Sequence, residues 1–142
     1  MVANVSPIFT RTADIQWAVN ITAANNTIDL TTGTSYLVWT ADATEGGFLR
    51  EVRIKANPSQ NTAATVVRIW INNGSTLTTD TTSALYTEVG LPATTASATA
   101  PQPDFIAPIN IPFPAAYRVY LTLGTAPGGT GEFMAMGIGG KY

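Results

Sequence analysis

The 142-residue sequence contains no histidine and no cysteine, and only 11% of its residues are charged. Each absence closes a class of chemistry. Without histidine, no side chain has an unperturbed pKa near neutrality with which to move protons. Without cysteine there is no thiolate nucleophile, no disulfide, and no Cys- or His-based zinc or iron–sulfur centre. A globular domain usually carries about 25% charged residues, and here hydroxyl residues, Thr above all, cover part of the deficit. Uncharged polar surface loses little on burial when a partner replaces its hydrogen bonds. The composition points to a part built into something larger, not to a catalyst.

Positive charge is scarce too. The net charge is −2, and the seven basic residues are Arg11, Arg50, Arg53, Lys55, Arg68, Arg118 and Lys141. Only Arg50, Arg53 and Lys55 cluster, with Glu51 among them. A grip on nucleic acid needs several Lys and Arg to displace counterions, so no direct nucleic-acid partner is expected. No apolar run approaches the roughly 18–20 residues of a membrane helix, and no membrane partner is expected. Met1–Pro7 has neither the basic nor the apolar region of a secretory signal, which predicts synthesis in a cytoplasm. The length suits one domain.

What is present is period-two alternation, with no convincing helical period. Asp14–Thr22 places Ile15, Trp17, Val19 and Ile21 on one face and Asp14, Gln16, Ala18 and Asn20 on the other. Ile28 and Leu30 suggest a short strand before a turn at Thr31–Gly33. Ser35–Ala41 is apolar on both faces, as in a strand covered on both sides. Phe48–Ala56 alternates with Phe48, Val52, Ile54 and Ala56 inward, but the count also puts Arg50 inward, which favours a β-bulge there. Thr65–Asn72 carries Val67, Ile69 and Ile71 on one face and Val66, Arg68 and Trp70 on the other. Asn72-Asn73-Gly74 is a turn signal, and a loop is expected over Ser75–Ser83.

Further along, Leu85, Thr87, Val89 and Leu91 make another strand, followed by a long connection over Ala93–Pro103. Phe105–Pro114 carries prolines at 108, 112 and 114, which restrict it to an edge strand or an extended segment. Tyr117, Val119, Leu121 and Leu123 form a core face. Gly124–Gly131 reads as a hairpin loop, and Glu132–Ile138 as a closing strand with Met134, Met136 and Ile138 inward and Ala135 and Gly137 outward. Eight or nine strands without crossover helices predict an all-β fold, a single-domain antiparallel β-sandwich of jelly-roll kind, with an immunoglobulin-like sandwich as the alternative. The stretches Ser75–Ser83 and Ala93–Pro103 are candidates for the crossings between sheets. The sandwich is expected over residues 14–142, preceded by an N-terminal arm over residues 1–13 that includes Ile8 and Phe9.

Carboxylates are the remaining acid–base groups. A glycosidase needs two of them facing each other, and Glu51 and Glu88 are the pair that strands could bring together, though nothing in their spacing requires it. Asp42-Ala-Thr-Glu45 offers two oxygen ligands where calcium needs six to eight, so a turn is the better reading. Gly124–Gly131 lacks the GxGxxG order of a phosphate loop. Ser and Thr have only Lys55 or Lys141 as candidate bases. The Asn-x-Ser/Thr triplets at Asn4, Asn20, Asn25 and Asn73 read as chance matches in so Thr-rich a chain. No catalytic residue, metal ligand or cofactor is predicted. Aromatics carry more weight: Trp70 and Tyr120 share faces with Arg68 and Arg118, which suits a subunit interface or a platform for a glycan.

The second half of the chain resembles a known group. Leu49–Ala56 (LREVRIKA), Val66–Gly74 (VVRIWINNG), Ala84–Thr95 (ALYTEVGLPATT), Pro114–Thr125 (PAAYRVYLTLGT) and the final Gly-Gly-Lys-Tyr142 resemble small structural proteins of tailed bacteriophages, over roughly residues 47–142. These are strand-and-turn phrases, not catalytic signatures. The resemblance implies a β-sandwich virion component, either a capsid decoration (cement) protein or a tail- or fibre-associated protein, that forms trimers or other symmetric clusters. The partners it implies are further copies of the chain and the major capsid protein or other virion proteins, in the virion. No functional residue carries over from it. For contacts to neighbours, Ile8 and Phe9 of the arm and the proline-rich segment around Phe105 and Phe113 are the candidates, beside Arg68, Trp70 and Tyr120. Prolines there lower the ordering cost of binding.

Overall fold

In the computed structural model, which describes residues 10–77 and 81–142, the chain forms eight strands: β1 (Thr12–Ile21), β2 (Tyr36–Thr40), β3 (Gly47–Ala56), β4 (Thr65–Asn72), β5 (Ser83–Leu91), β6 (Phe105–Phe113), β7 (Arg118–Leu123) and β8 (Phe133–Lys141). Among the described residues there is no helix. The antiparallel pairs β1/β8, β2/β7, β3/β6 and β4/β5 join each strand to its mirror-image counterpart in the sequence. The chain is thus one long folded ribbon with its tip between β4 and β5. Rolling that ribbon adds the pairs β3/β8 and β4/β7 and leaves two four-stranded sheets, β1-β8-β3-β6 and β2-β7-β4-β5. That is the jelly-roll path; the immunoglobulin-like alternative does not place first and last strands side by side.

The core lies between the sheets, built from Leu49, Val52 and Ile54 of β3, Val67 and Ile69 of β4, Val119, Leu121 and Leu123 of β7, and Phe133 and Ala135 of β8. Trp39 of β2 sits at its centre, 0% exposed. A Cβ added to Gly137 would lie 2.8 Å from the Trp39 Cβ, and one added to Gly47 would lie 3.1 Å from the far edge of the indole. The ring of Phe113 tilts against the indole at 57° with centroids 5.4 Å apart, and Tyr117 meets Phe113 edge-on at 6.4 Å.

This packing reverses the predicted facing of β8. Phe133, Ala135 and Gly137 point to the core, while Met136 is exposed and Met134 and Ile138 are half-buried on the outside. The indole fills the space that larger side chains at 135 and 137 would need. β1 follows from its register, with Ile15 opposite Ile138 and Trp17 opposite Met136. Its apolar face, Ile15, Trp17 and Val19, therefore looks to solvent. Ile21 alone turns inward, because the register shifts between Ala18 and Ile21, where Asn20 takes a left-handed conformation (φ 54°). Gln16 points inward and clamps the two sheets together: its Nε2–H donates to the Thr40 carbonyl (2.8 Å) and its Oε1 accepts from the Thr40 N–H (2.9 Å). A side-chain amide thus takes the place of a neighbouring strand for one residue of β2.

The bulge expected at Arg50 is present, with the register of β3 shifting between Leu49 and Glu51 against both neighbours. It turns Arg50 to solvent and puts Leu49, not Phe48, in the core. The proline-bearing β6 is an edge strand, as expected. Three connections differ from their prediction. Ile28 and Leu30 are not in a strand; they belong to a loop built around the buried Asn25, whose Nδ2 donates to the Asp29 and Thr32 carbonyls and whose Oδ1 accepts from the Ile28 N–H and the Thr27 hydroxyl. The segment after β4 is no crossing, since β4 and β5 pair within one sheet, whereas 92–104 does cross from β5 to β6. Gly124–Gly131 is no hairpin loop, because it carries the chain from β7 in one sheet to β8 in the other. The predicted arm, residues 1–13, overlaps β1 at Thr12 and Ala13.

Gly137→Ala is expected to cost about 1–3 kcal/mol, the usual penalty of overpacking a filled core. Gly90→Ala, whose Cβ would meet nothing within 4 Å, serves as control and should be neutral or slightly stabilising. Chemical denaturation of both variants checks this; equal midpoints would remove Trp39 as the element that sets the β8 register.

Candidate functional site

The residues singled out from sequence do not assemble into one surface. Arg68, Trp70 and Tyr120 do share the outer face of the β2-β7-β4-β5 sheet, with Trp70 directly opposite Tyr120. Trp70, however, is only 3% exposed, and its Nε1–H donates to the Thr122 hydroxyl at 3.0 Å. It lies against its own sheet and offers no platform to a partner. Arg68 is mostly covered as well: its Nε is 2.8 Å from Glu88 Oε1, and its Nη1 is buried without an acceptor. Phe113 is a core residue beside Trp39, which corrects its assignment to a contact surface, and Phe105 packs partly against the same core. Ile8 and Phe9 lie outside the described residues.

The weighed chemistry is dispersed. Glu51 stands on β3 and Glu88 on β5, in different sheets, so they do not face one another. Asp42 closes a turn, its Oδ1 accepting from the N–H groups of Thr44 and Glu45. The Asn25 amide is buried and fully used within its loop, which removes that triplet as a glycosylation acceptor. Among the described residues, no three Asp or Glu side chains gather where a metal ion could sit.

A different surface stands out. On the outer face of the β1-β8-β3-β6 sheet the register builds rows that run straight across the strands. Ile15 neighbours Ile138, which neighbours Glu51; Trp17 neighbours Met136, then Arg53, then Ile106. Lys55 lies opposite Met134 in the next row. Trp17 is 66% exposed, and Ile15, Val19, Ile106 and Met136 are each 40–50% exposed. Between the rows lies an open trough of about 610 Å³ lined chiefly by Trp17, Val19, Met134, Met136, Arg53 and Asp104. Half-exposed apolar side chains in adjoining rows form a contiguous patch, which monomeric proteins rarely leave uncovered.

The charges along this patch pair with one another. Asp104 is 3.0 Å from Lys55 and 3.9 Å from Arg53, and Glu51 is 3.6 Å from Arg53 and 3.3 Å from Arg50. These are half-exposed pairs, each worth about 0–1 kcal/mol. They leave one positive charge in excess along the patch. The Lys55 ammonium, through its hydrogen bond and then its charge, with Arg53 adding less, holds the Asp104 carboxyl below the usual carboxylate range. Asp29 is held low mainly by the N–H and hydroxyl of Thr32. Asp42 is held low by the N–H groups of Glu45 and Thr44.

Comparison with known protein families, curated proteins and solved structures gives no match. The surface is therefore read from its own chemistry: aromatic and thioether-rich, with its acids paired to bases, and suited to contact. Trp17 and Met136 were visible in the sequence as apolar alternation, but alternation alone does not say which face meets the core. The usable signal was the Ala135/Gly137 pair on the opposite face of β8, small enough to lie against a large ring.

Acid titration should follow the three depressed carboxylates. Each has a folded pKa below its unfolded value near 3.9, so each stabilises the fold above that value, and this contribution is lost as pH falls through the lower folded value. With no histidine to titrate, thermal midpoints should stay nearly level from pH 8 to about 5 and fall below about 4, and Asp104→Asn should soften that fall. A steep loss already between pH 7 and 6 would contradict this assignment.

Proposed function

We propose that this protein is a structural component of a tailed-bacteriophage virion, a capsid decoration or cement protein that works by self-association and by contact with neighbouring virion subunits. The observation that carries the reading is the uncovered apolar face around Trp17 on a jelly roll, most of whose described acidic and basic groups lie in turns and surface pairs. The strand-and-turn phrases that resemble phage structural proteins supply the virion context. On this reading the protein is not an enzyme. Contacts repeated at many symmetric copies stabilise a shell through avidity, without any bond being made or broken. Three-fold clustering and a seat on the major capsid protein are the finer parts of the proposal and follow from the resemblance.

A second reading has one observation of its own. Trp17 stands exposed beside Arg53 and Asp104, and an indole flanked by hydrogen-bonding groups can stack on a sugar ring. A tail- or fibre-associated protein, or a carbohydrate-binding module, would use the face in that way.

Heating phage particles made with and without the protein tests the first reading. Particles lacking it should lose infectivity and release genome at lower temperature, and adding back the purified chain should restore them. Equal survival in heat and low salt would reject the cement role. A glycan array tests the second reading, with Trp17→Ala as the control variant: binding that disappears with the indole supports it, and no binding by the wild-type chain ends it.

A further inference from the structure

The apolar face does more than suggest contact in general; it carries both halves of a contact. Trp17 projects from β1 and forms one wall of the trough, whose other borders are Met134, Met136, Arg53, Lys55 and Asp104. A projecting indole and a trough able to receive one lie side by side on the same sheet. That is the requirement of a two-fold contact, in which a residue on one copy meets the same element of the other that its own neighbour presents in return. We propose that the outer face of the β1-β8-β3-β6 sheet binds a second copy of this chain face to face, each Trp17 seated in the partner copy's trough.

The chemistry of the trough fits an indole. Thioethers attract aromatic rings, and a guanidinium over the face of a Trp adds a cation–π attraction. Trp, Met and Arg are also the residues enriched where protein interfaces are fully buried. Charge fits as well. The trough side of the face carries Glu51 and Asp104 against Arg50, Arg53 and Lys55, with both acids already paired. A copy of the same face therefore meets one unmatched positive charge, and the exposed Arg50 can hold that charge in solvent. A nucleic acid or a strongly charged protein would find only that single uncompensated charge to match.

The edge beside this face is left open. β6, the other edge of the sheet, is guarded by Pro108 and Pro112, whereas β1 is ten residues long and has neither proline nor lysine. Natural edge strands are usually blunted by such residues unless something covers them. A two-fold contact closes at two copies, so three-fold clustering would use a different surface. The inference deepens the self-association part of the proposed function and rests on it, but not on the virion.

Sedimentation velocity on the full chain, from micromolar to near-millimolar concentration, tests it. The wild-type chain should pass from monomer to dimer, and Trp17→Ser and Met136→Glu should each raise the dissociation constant by at least about 30-fold, as loss of an interface hot spot does. Leu37→Ser, on the exposed outer face of the opposite sheet, should change it less than about threefold. Both Trp17 and Met136 are outside the core, so circular dichroism should report unchanged folding. A wild-type chain that stays solitary throughout, or dimers that survive both substitutions, overturns the proposal. So does a solitary chain whose Trp17 fluorescence responds to saccharides, which would give the face to a glycan. Binding of the same variants to particles lacking the protein separates the two ideas. A chain that pairs through Trp17 yet never seats on particles leaves this contact standing and removes the virion role.

Discussion

One buried indole sets the arrangement of the outer surface. Trp39 fills the space between the sheets so closely that β8 can pass it only with glycine at 137, and Gly47 at the start of β3 lies between the indole edge and the Gly140 carbonyl, which leaves a Cβ there no room. Strand side chains alternate, so fixing Gly137 inward fixes every other residue of β8. Phe133 and Ala135 join the core, and Met134, Met136 and Ile138 are sent outside. β1 is locked to β8 by its hydrogen-bond ladder, and its Ile15, Trp17 and Val19 go outward with them. The apolar outer face is thus a consequence of core packing.

Inside the sandwich, the same displacement leaves polar groups facing inward from β1, and the chain resolves this with hydrogen bonds. Gln16, half-buried, satisfies both backbone groups of Thr40 and so holds the two sheet edges together. Asn25 does the same for the β1–β2 loop. Buried polar groups are tolerated when every partner is present. Here they leave the larger apolar residues of β1, Ile15, Trp17 and Val19, to the surface.

Much of the fold was legible in the sequence, and the reasons for the rest are physical. β-branched and aromatic runs such as Thr65–Asn72 show themselves as strands, prolines at 108 and 112 mark an edge, and Arg50 on an otherwise apolar face betrays a bulge. Inward and outward are harder, because alternation has no sign. In β8 the larger residues suggested the core face, and the deciding constraint was a tryptophan nearly a hundred residues away in the chain. Connections were harder still: a stretch of small and hydroxyl residues looks the same whether it turns back within a sheet, as after β4, or crosses between sheets, as before β6 and β8. Trp70 was correctly placed on an outward-facing register, but its hydrogen bond to Thr122 folds it down against the sheet. Trp17, equally apolar and equally alternating, has no such acceptor across the strand, since its neighbour there is Met136. The exposed aromatic face sits on the other sheet for that reason.

The most direct measurement is hydroxyl-radical footprinting of the three tryptophans and three methionines, in dilute chain and in the assembled form. Trp39 and Trp70 should label weakly in both. Trp17 and Met136 should label strongly in dilute chain and become protected on assembly. Labelling of Trp17 that is the same in both states would contradict the account, because the face that Trp39 turns outward would then be covered by nothing.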